Sequence, residues 1–358
     1  MSLAQFFLPF VKQLPPETAH ALTLSGLKSG LAGPRQDPSR WQTGITLKRS
    51  KLKLMNPVGL AAGFDKNAEV AAAMTHLGFG FVECGTVTPK PQAGNPKPRV
   101  FRLVRDRAVI NRLGFNNHGL SKVSANLKSQ RPRANGPIGA NVGANKDSSD
   151  FIADYETGLQ VVLPLVDYVT MNISSPNTPG LRDLHGRDAL ADLLARTKAI
   201  WQASETTTPV FLKLAPDLDT DGLSAITDEL GKSGAWLSGL IISNTTVSRP
   251  DFLRSAAKQE AGGLSGAPLA RLSLQMLEHF AREFGDQFDL VACGGIDSGD
   301  AVYERIRAGA QAVQIYTALT YHGLDLISRI NATLRMRLSR DGFQSLSDAV
   351  GVDLRPSS

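Results

Sequence analysis

Eight short apolar segments recur along the chain after residue 55, and they limit the folds that the chain can adopt. None of them shows the alternation of polar and apolar residues that marks a half-exposed strand. Continuous apolar runs of this length are typical of strands buried on both faces of a parallel sheet. The segments are residues 58–63, 80–85, 138–142, 166–173, 210–214, 237–242, 290–293 and 312–316.

Segments with helical periodicity separate these predicted strands. They comprise residues 68–77, 188–201, 223–230, 269–284, 301–308 and 324–334. The alternation predicts an α/β protein, and eight strands of this kind predict a (β/α)8 TIM barrel. An open doubly wound sheet is the alternative, but no Gly-x-Gly-x-x-Gly motif follows the first strand. Nearly every strand instead ends in a polar or glycine cluster, where a barrel builds its active site.

The barrel is predicted to comprise residues 46–340, and three further parts accompany it. Residues 1–45 form an N-terminal arm of two short helices. Within the barrel, residues 98–113 insert a β-hairpin at the mouth. Residues 341–358 form a polar C-terminal tail that we expect to be mobile. The apolar side chains of the arm either cap the barrel, or form a flap that lies on a membrane or guards an apolar tunnel.

Composition excludes several other classes of protein. Apolar residues make up 42% and charged residues 20% of the 358 residues, so the chain is not disordered, collagen-like or coiled-coil. Nucleic-acid binding is not predicted, because the net charge of +6 is modest for a chain of this length. The one dense group of basic residues lies between Arg99 and Arg112. Neither the two cysteines nor the histidines have metal-ligand spacing, so no metal site is predicted.

The densest group of hydrogen-bonding side chains lies in residues 171–182, after the fourth predicted strand. Turn formation explains any one of these Asn and Ser residues, but not the whole group. After the first strand, Lys66 either offers a fixed cation to an anionic substrate or pairs with Asp65 at the surface. No His or Glu in these loops is placed to act as a base, so a serine would have to act.

Lys213 lies inside the apolar segment 210–214. A buried ammonium group is costly without a charged or polarised partner, so we predict a functional role for it. Glycine turns at 262–266 and 294–295, near the last two strands, predict a phosphate cradle. Together these features predict a phosphate-bearing cofactor. A buried cation beside a flavin would stabilise its anionic reduced form.

Taken together, the motifs resemble those of class 2 dihydroorotate dehydrogenases, the quinone-linked flavoenzymes of pyrimidine synthesis. The resemblance covers nearly the whole chain. It is carried by Gly-Leu-Ala-Ala-Gly-Phe-Asp-Lys-Asn (59–67), Gly-Thr-Val-Thr-Pro-Lys-Pro-Gln (85–92), Asn-Arg-Leu-Gly-Phe-Asn-Asn (111–117), Asn-Ile-Ser-Ser-Pro-Asn-Thr-Pro-Gly-Leu-Arg (172–182) and Gly-Gly-Leu-Ser-Gly (262–266). It implies oxidation of (S)-dihydroorotate to orotate in de novo UMP biosynthesis. FMN would be the bound hydride acceptor, and a membrane quinone, ubiquinone or menaquinone, the final electron acceptor.

The resemblance also implies the catalytic residues. In the quinone-linked class a serine removes a proton from C5 of dihydroorotate, while C6 gives a hydride to N5 of FMN. Ser175 occupies the position of that serine. Thr178 and Phe115 resemble the neighbours that relay the proton and close the loop. Class 1 relatives have a cysteine in this loop, and neither Cys84 nor Cys293 lies there.

The binding residues follow from the same resemblance. The substrate would be held by Lys66, Asn111, Arg112, Leu113, Gly114, Phe115, Asn172, Asn177, Asn244 and Thr245. FMN would be held by Ala62, Gly63, Phe64, Asp65, Lys66, Thr86, Asn141, Asn172, Lys213, Ser243, Gly266, Gly295, Tyr316 and Thr317. The quinone tunnel would include His20, Arg102, Phe6 and Phe10. The resemblance further implies a bacterial monomer whose N-terminal helices attach it peripherally to the cytoplasmic side of the inner membrane.

Three alternatives stand beside this interpretation. The first is another FMN barrel that uses fumarate or NAD, against which Ser175 and the N-terminal arm argue. The second is an aldolase or isomerase barrel without a flavin, which a yellow preparation would exclude. The third is a membrane-docking protein without activity, which leaves the buried Lys213 unexplained.

Overall fold

The centre of the structure, a computed structural model that describes residues 13–30, 36 and 41–355, is a closed barrel of eight parallel strands. The strands of the molecule are β1 (Ile45–Thr46), β2 (Lys53–Leu54), β3 (Val58–Leu60), β4 (Phe81–Val87), β5 (Val100–Leu103), β6 (Ala108–Asn111), β7 (Ile138–Val142), β8 (Tyr168–Asn172), β9 (Val210–Leu214), β10 (Gly239–Ile242), β11 (Gly263–Gly266), β12 (Asp289–Cys293) and β13 (Ala312–Ile315). The barrel order is β3-β4-β7-β8-β9-β10-β12-β13, and β13 pairs with β3 to close it. The predicted TIM barrel is therefore confirmed, with a strand in each of the eight apolar segments.

Helices surround the barrel and connect its strands. They are α1 (Pro16–Lys28), α2 (Ala71–His76), α3 (Gly119–Gln130), α4 (Phe151–Val162), α5 (Arg187–Ala203), α6 (Thr220–Ser233), α7 (Ala270–Phe284), α8 (Gly299–Arg307), α9 (Thr317–His322), α10 (Leu326–Arg340) and α11 (Leu346–Ala349). The side chains of Asp150, Asp219 and Ser298 accept N–H groups in the first turns of α4, α6 and α8, which fixes where these helices begin. Each of the six predicted helical segments contains a helix, whereas α3, α4, α9 and α11 were not predicted.

Aromatic rings fill the amino-terminal end of the barrel. Three of its strands carry Phe81, Tyr168 and Phe211. The centroid of the Tyr168 ring lies 6.2 Å from that of Phe81 and 5.6 Å from that of Phe211. Gly139 makes room for them, since a Cβ there would lie 2.2 Å from Cζ of Tyr168. The β1–β2 hairpin covers the same end, where Leu54 meets the rings. This end is a packed core, so a site has to lie at the carboxyl ends of the strands.

A small antiparallel sheet lies at that carboxyl end. The predicted hairpin is present as β5 and β6, and β11 adds a third strand to it. Residues 263–266 were expected to be a glycine turn of the phosphate cradle, and that expectation is corrected. They form a strand because Leu264 is buried against Leu103 and Ile110 in a separate small core.

Both ends of the described chain pack against the barrel. Ala19 and Leu27 of α1 are buried, and Arg99 holds this helix through an ion pair with Glu17 at 2.9 Å. Within the described ranges no helix is long and apolar enough to cross a membrane. At the other end, residues 341–355 are not the mobile tail that we expected, because α11 buries Leu346 and Ala349.

Candidate active site

The carboxyl ends of the barrel strands open into one cavity of about 970 Å³. Its wall brings together residues that are far apart in the sequence. The predicted site residues that line it are His20, Ala62, Gly63, Phe64, Lys66, Thr86, Arg102, Asn111, Leu113, Gly114, Phe115, Asn172, Ser175, Asn177, Lys213, Ser243, Asn244, Thr245, Gly266, Gly295, Tyr316 and Thr317. Most of the predicted site residues therefore share a single cavity.

A chain of hydrogen-bonded side chains leads from the barrel interior to this cavity. It starts at Glu83, a fully buried carboxylate whose Oε1 accepts from Asn141 Nδ2 at 2.7 Å. Asn141 Oδ1 accepts from Thr86 Oγ1 at 2.5 Å, and Thr86 Oγ1 accepts from Asn172 Nδ2 at 3.0 Å. Because a Glu83 carboxyl oxygen accepts the first hydrogen bond, it sets the orientation of the Asn141 amide, and Thr86 passes that orientation on to Asn172.

The same chain ends in a group of neutral donors and acceptors. Asn172 Oδ1 accepts from Ser174 Oγ at 2.8 Å, and Ser174 Oγ accepts from Asn244 Nδ2 at 2.9 Å. On the opposite side, Asn177 Nδ2 lies 3.5 Å from Asn111 Oδ1. Such amide and hydroxyl groups suit a planar ring that carries amide N–H and carbonyl groups.

Ser175 begins the loop that covers this polar group. Its side chain is buried, and its Oγ accepts the N–H of Asn177 at 3.2 Å. This hydrogen bond stabilises negative charge on the oxygen, as a serine acting as a base requires. Phe115 lies close by in a left-handed conformation (φ +51°), with its ring against Gly143.

Lys66 places a cation at the rim of the polar group. Its Nζ donates to the carbonyl oxygen of Gly63 at 2.8 Å. Desolvation lowers the pKa of this lysine to about 8, Glu17 raises it and Arg99 lowers it. The ammonium group is therefore charged at neutral pH and available to an anionic substrate.

Lys213 provides a second cation, deeper in the cavity. It projects from β9, its side chain is only 4% exposed, and no described residue forms a hydrogen bond or ion pair with its Nζ. A buried ammonium group in such a place favours an electron-rich ligand that supplies the missing partner.

The main chain near β12 offers a cradle for an anion. Gly294 and Gly295 both have positive φ, of 110° and 70°. Among the described residues, their N–H groups donate to no acceptor. A Cβ on Gly295 would lie 2.2 Å from Cα of Ala270, so only glycine fits there. With the nearby Lys213, this cradle fits a flavin nucleotide, whose phosphate needs N–H donors and whose ring gains negative charge on reduction.

An apolar arm of the cavity runs from this site to α1. His20 on α1 faces this part of the cavity, and the centroid of its ring lies 5.1 Å from that of Phe64 and 6.5 Å from that of Tyr316. Burial and the charge of Lys66 lower the pKa of His20 to about 4, so its ring is neutral at pH 7. Arg102 Nη1 donates to the carbonyl oxygen of Leu14 at 2.7 Å. Phe6 and Phe10 lie outside the described residues.

Four predicted site residues do not contribute a side chain to the described cavity wall. The carboxylate of Asp65 accepts the N–H groups of Glu69 and Val70, and it supports the loop from below. Arg112 turns away because its guanidinium forms an ion pair with Glu260 at 2.6 Å. The remaining two are Asn141, which reaches the cavity only through Thr86, and Thr178, whose buried Oγ1 has no hydrogen-bond partner among the described residues.

Two charged residues with a position in the site were missed. Glu83 is the one charged residue of a buried strand, which is the same signal that marked Lys213. Arg182 closes the polar segment 172–182 and had no role assigned, although its side chain holds the loop that carries Ser175. Among the described residues no group of three or more His, Cys, Asp or Glu could hold a metal ion.

The fold and the cavity define the class as a (β/α)8 barrel in which one cavity joins glycine N–H groups, a buried lysine and a wall of amide side chains. The family sequence profile for dihydroorotate dehydrogenase matches residues 45–338. The chain therefore belongs to the dihydroorotate dehydrogenase family.

Relatives and solved structures agree on this family. A protein of Parvibaculum lavamentivorans named dihydroorotate dehydrogenase (quinone) is 49% identical over 99% of both chains. A protein of the same name from Novosphingobium aromaticivorans is 50% identical over 96% of this chain and 98% of the relative. The crystal structure of ligand-free dihydroorotate dehydrogenase from Eimeria tenella superimposes with a TM-score of 0.88. The two sequences are 39% identical, and the match covers 95% of this chain and 100% of the Eimeria tenella chain.

Proposed function

We propose that the chain oxidises dihydroorotate to orotate with FMN as the bound hydride acceptor, and that it passes the electrons to a membrane quinone. This is the reaction of a quinone-linked dihydroorotate dehydrogenase in pyrimidine biosynthesis. The observation that carries the proposal is one cavity that joins the Ser175 loop, the buried Lys213 and the apolar face of α1. A substrate pocket, a place for the flavin and a path for a lipophilic acceptor thus adjoin one another.

Ser175 is the proposed base. Its Oγ takes the proton from C5 of dihydroorotate and gives its own hydroxyl proton to the relay at Thr178, while the N–H of Asn177 stabilises the negative charge that develops on the oxygen. As the C5 proton leaves, the C6 hydrogen departs with its electron pair, and the double bond of orotate forms between C5 and C6. FMN, when bound, supplies the acceptor for that hydride. We keep Thr178 as the proposed relay, since its buried hydroxyl has no other described partner.

The remaining residues would hold the two ligands. Lys66 would pair with the substrate carboxylate, and the amides of Asn111, Asn172, Asn177 and Asn244 would bind the ring, with Thr245 beside them. Gly294 and Gly295 would donate N–H groups to the FMN phosphate, and Lys213 would face the flavin ring. Thr86 and Asn172 would orient the flavin because Glu83 and Asn141 fix their hydroxyl and amide groups.

The apolar arm of the cavity is the proposed quinone path. Ala19, Leu24 and Leu27 of α1 line it together with Leu319 and Leu324. Neutral His20 would lie at its inner end, where a quinone ring has to approach the cofactor. We propose that the N-terminal arm, residues 1–45, attaches the enzyme peripherally to the cytoplasmic face of the inner membrane. We also propose that the enzyme acts as a monomer.

The charge of Lys66 predicts how orotate binding depends on pH. Orotate is an anion throughout the neutral range, and it needs the protonated lysine. Since the pKa of Lys66 is about 8, the affinity stays constant below pH 8 and falls about tenfold per pH unit well above it. Titrating the oxidised enzyme with orotate between pH 6 and 10 measures this. Lys66→Met is the control that should bind weakly with no such dependence; a wild-type affinity that rises above pH 8 contradicts the assignment.

The quinone path predicts a separation of the two half-reactions. Deleting residues 1–40 removes α1, so quinone turnover should fall by at least about tenfold, whereas flavin reduction by dihydroorotate should stay within about twofold. Steady-state assays with ubiquinone, menaquinone and a water-soluble dye compare the acceptors, and fumarate and NAD test the other classes of FMN barrel. The dye supplies the internal control. Full quinone turnover by the truncated chain contradicts the proposed path, and preferred use of fumarate or NAD contradicts the quinone assignment.

A further inference from the structure

The guanidinium group of Arg182 contacts three separate loops at the mouth of the barrel. Its Nε donates to the carbonyl oxygen of Ser174 at 3.2 Å. Its Nη2 donates to the carbonyl oxygen of Thr245 at 3.1 Å, and its Nη1 donates to Asp217 Oδ2 at 2.9 Å. The side chain is 24% exposed and that of Asp217 is 12% exposed, so water screens these contacts only partly.

The first contact closes the loop that carries the proposed base. Residues 174 and 182 are the two ends of this loop, and the bond from Arg182 to Ser174 joins them directly. Ser175 directly follows Ser174 in the chain, so the position of the Ser175 Oγ depends on where the Ser174 carbonyl group is held. Among the described residues, no other donor forms a hydrogen bond with the Ser174 carbonyl oxygen.

The second and third contacts hold the loop that follows β10, which forms the adjoining wall of the pocket. Thr245 and its neighbour Asn244 supply the polar groups on that wall. Asp217 also accepts hydrogen bonds from Thr246 Oγ1 and from the N–H of Val247, the latter at 3.0 Å. Asp217 and Arg182 therefore form a clamp that holds residues 244–247 against the Ser175 loop.

We infer that Arg182 is a positioning residue that sets the distance between Ser175 and the amide wall at Asn244. The guanidinium is not part of the described cavity wall, so it acts through the two carbonyl groups and not on the substrate. Only a planar fork with several N–H donors reaches all three acceptors at once, and a lysine ammonium on the same backbone does not reproduce it. The inference rests on the proposed function, because it needs Ser175 as the base.

The test compares Arg182→Met and Arg182→Lys with the wild-type holoenzyme. A displacement of about 1 Å costs roughly 10²-fold in rate, so we expect flavin reduction at saturating dihydroorotate to slow by about that factor in both variants. KM and the dissociation constant of orotate should rise by less than about tenfold, since the substrate contacts themselves remain. Free guanidinium added to Arg182→Ala should restore part of the rate.

A second variant and a control complete the design. Asp217→Asn leaves the arginine in place but removes its charged partner. Flavin reduction should slow in this variant too, but by a smaller factor than in the Arg182 variants. Arg187→Met removes an exposed ion pair with Asp228 and should leave the rate unchanged. If Arg182→Met does not retain FMN, the rates of flavin reduction in Arg182→Lys and Asp217→Asn are compared with the wild-type rate instead. Wild-type rates in these variants, or a loss entirely in KM, overturn the positioning role. If the wild-type flavin itself is not reduced by dihydroorotate, the proposed function fails instead.

Discussion

Replacing Ser175 with Ala slows the reduction of bound FMN by dihydroorotate about 10³-fold or more at neutral pH, within the range that loss of a general base produces. The variant has no atom in place of Oγ to take the C5 proton, and the neighbouring Asn177 N–H cannot accept one. FMN stays bound, because the cradle at Gly294–Gly295 and Lys213 lie elsewhere in the cavity. Anaerobic stopped-flow absorbance of the flavin band measures the rate, and the spectrum before mixing measures FMN content.

Ser175→Cys is the matched variant for this prediction. A thiol has an ordinary pKa of about 8.5, so the variant should regain part of the rate, and more of it as the pH rises through that value. Ser248→Ala removes a serine hydroxyl from a neighbouring loop and should change nothing, since among the described residues its hydrogen bonds are made by its main-chain N–H and carbonyl groups and not by its Oγ. Reduction of Ser175→Ala at the wild-type rate contradicts the assignment of the base.

Replacing Lys213 with Met weakens FMN binding by about 10²-fold, which corresponds to the loss of one charge-assisted contact in a buried site. The same change should stabilise the protein without FMN, because the buried ammonium group has no described partner there. The two effects have opposite signs, and this distinguishes a functional lysine from a structural one. Equilibrium titration with FMN measures the affinity, and thermal unfolding of the FMN-free protein measures the stability.

Lys198→Met is the control for the charge change, since this lysine lies exposed on α5. It should leave both FMN affinity and stability within experimental error. An unchanged FMN affinity in Lys213→Met contradicts the proposed role of Lys213. A large loss of stability in the FMN-free variant does so as well, because it identifies the lysine as part of the barrel's packing.

The barrel was predictable because its strands are buried on both faces and read as continuous apolar runs. α3 was harder to predict, since it begins at Gly119 with φ +77° and no side-chain cap, so its start carries no sequence signal. The tail beyond residue 340 has a polar composition overall. Its two buried side chains, Leu346 and Ala349, are too few to show a pattern.

The site was predictable where a side chain's position follows from the strand that carries it. Lys213 and Asn172 lie at the carboxyl ends of parallel strands, so the topology alone brings them together. The direction of the Arg112 guanidinium could not be predicted, because it is set by an ion pair with Glu260, which is distant in sequence. The strand formed by residues 263–266 depends in the same way on its pairing with the hairpin. Contacts of this kind arise only from the tertiary structure.

Dihydroorotate should reduce a flavin held in this cavity, and a quinone should reoxidise it. The most direct measurement is an anaerobic absorption spectrum of the purified holoprotein, taken before and after dihydroorotate and again after a quinone. We expect a flavin band that bleaches with dihydroorotate and returns with ubiquinone or menaquinone, but not with NAD or fumarate. A flavin that stays oxidised in dihydroorotate contradicts the proposed substrate, and a protein that cannot bind FMN contradicts the assignment of the cavity.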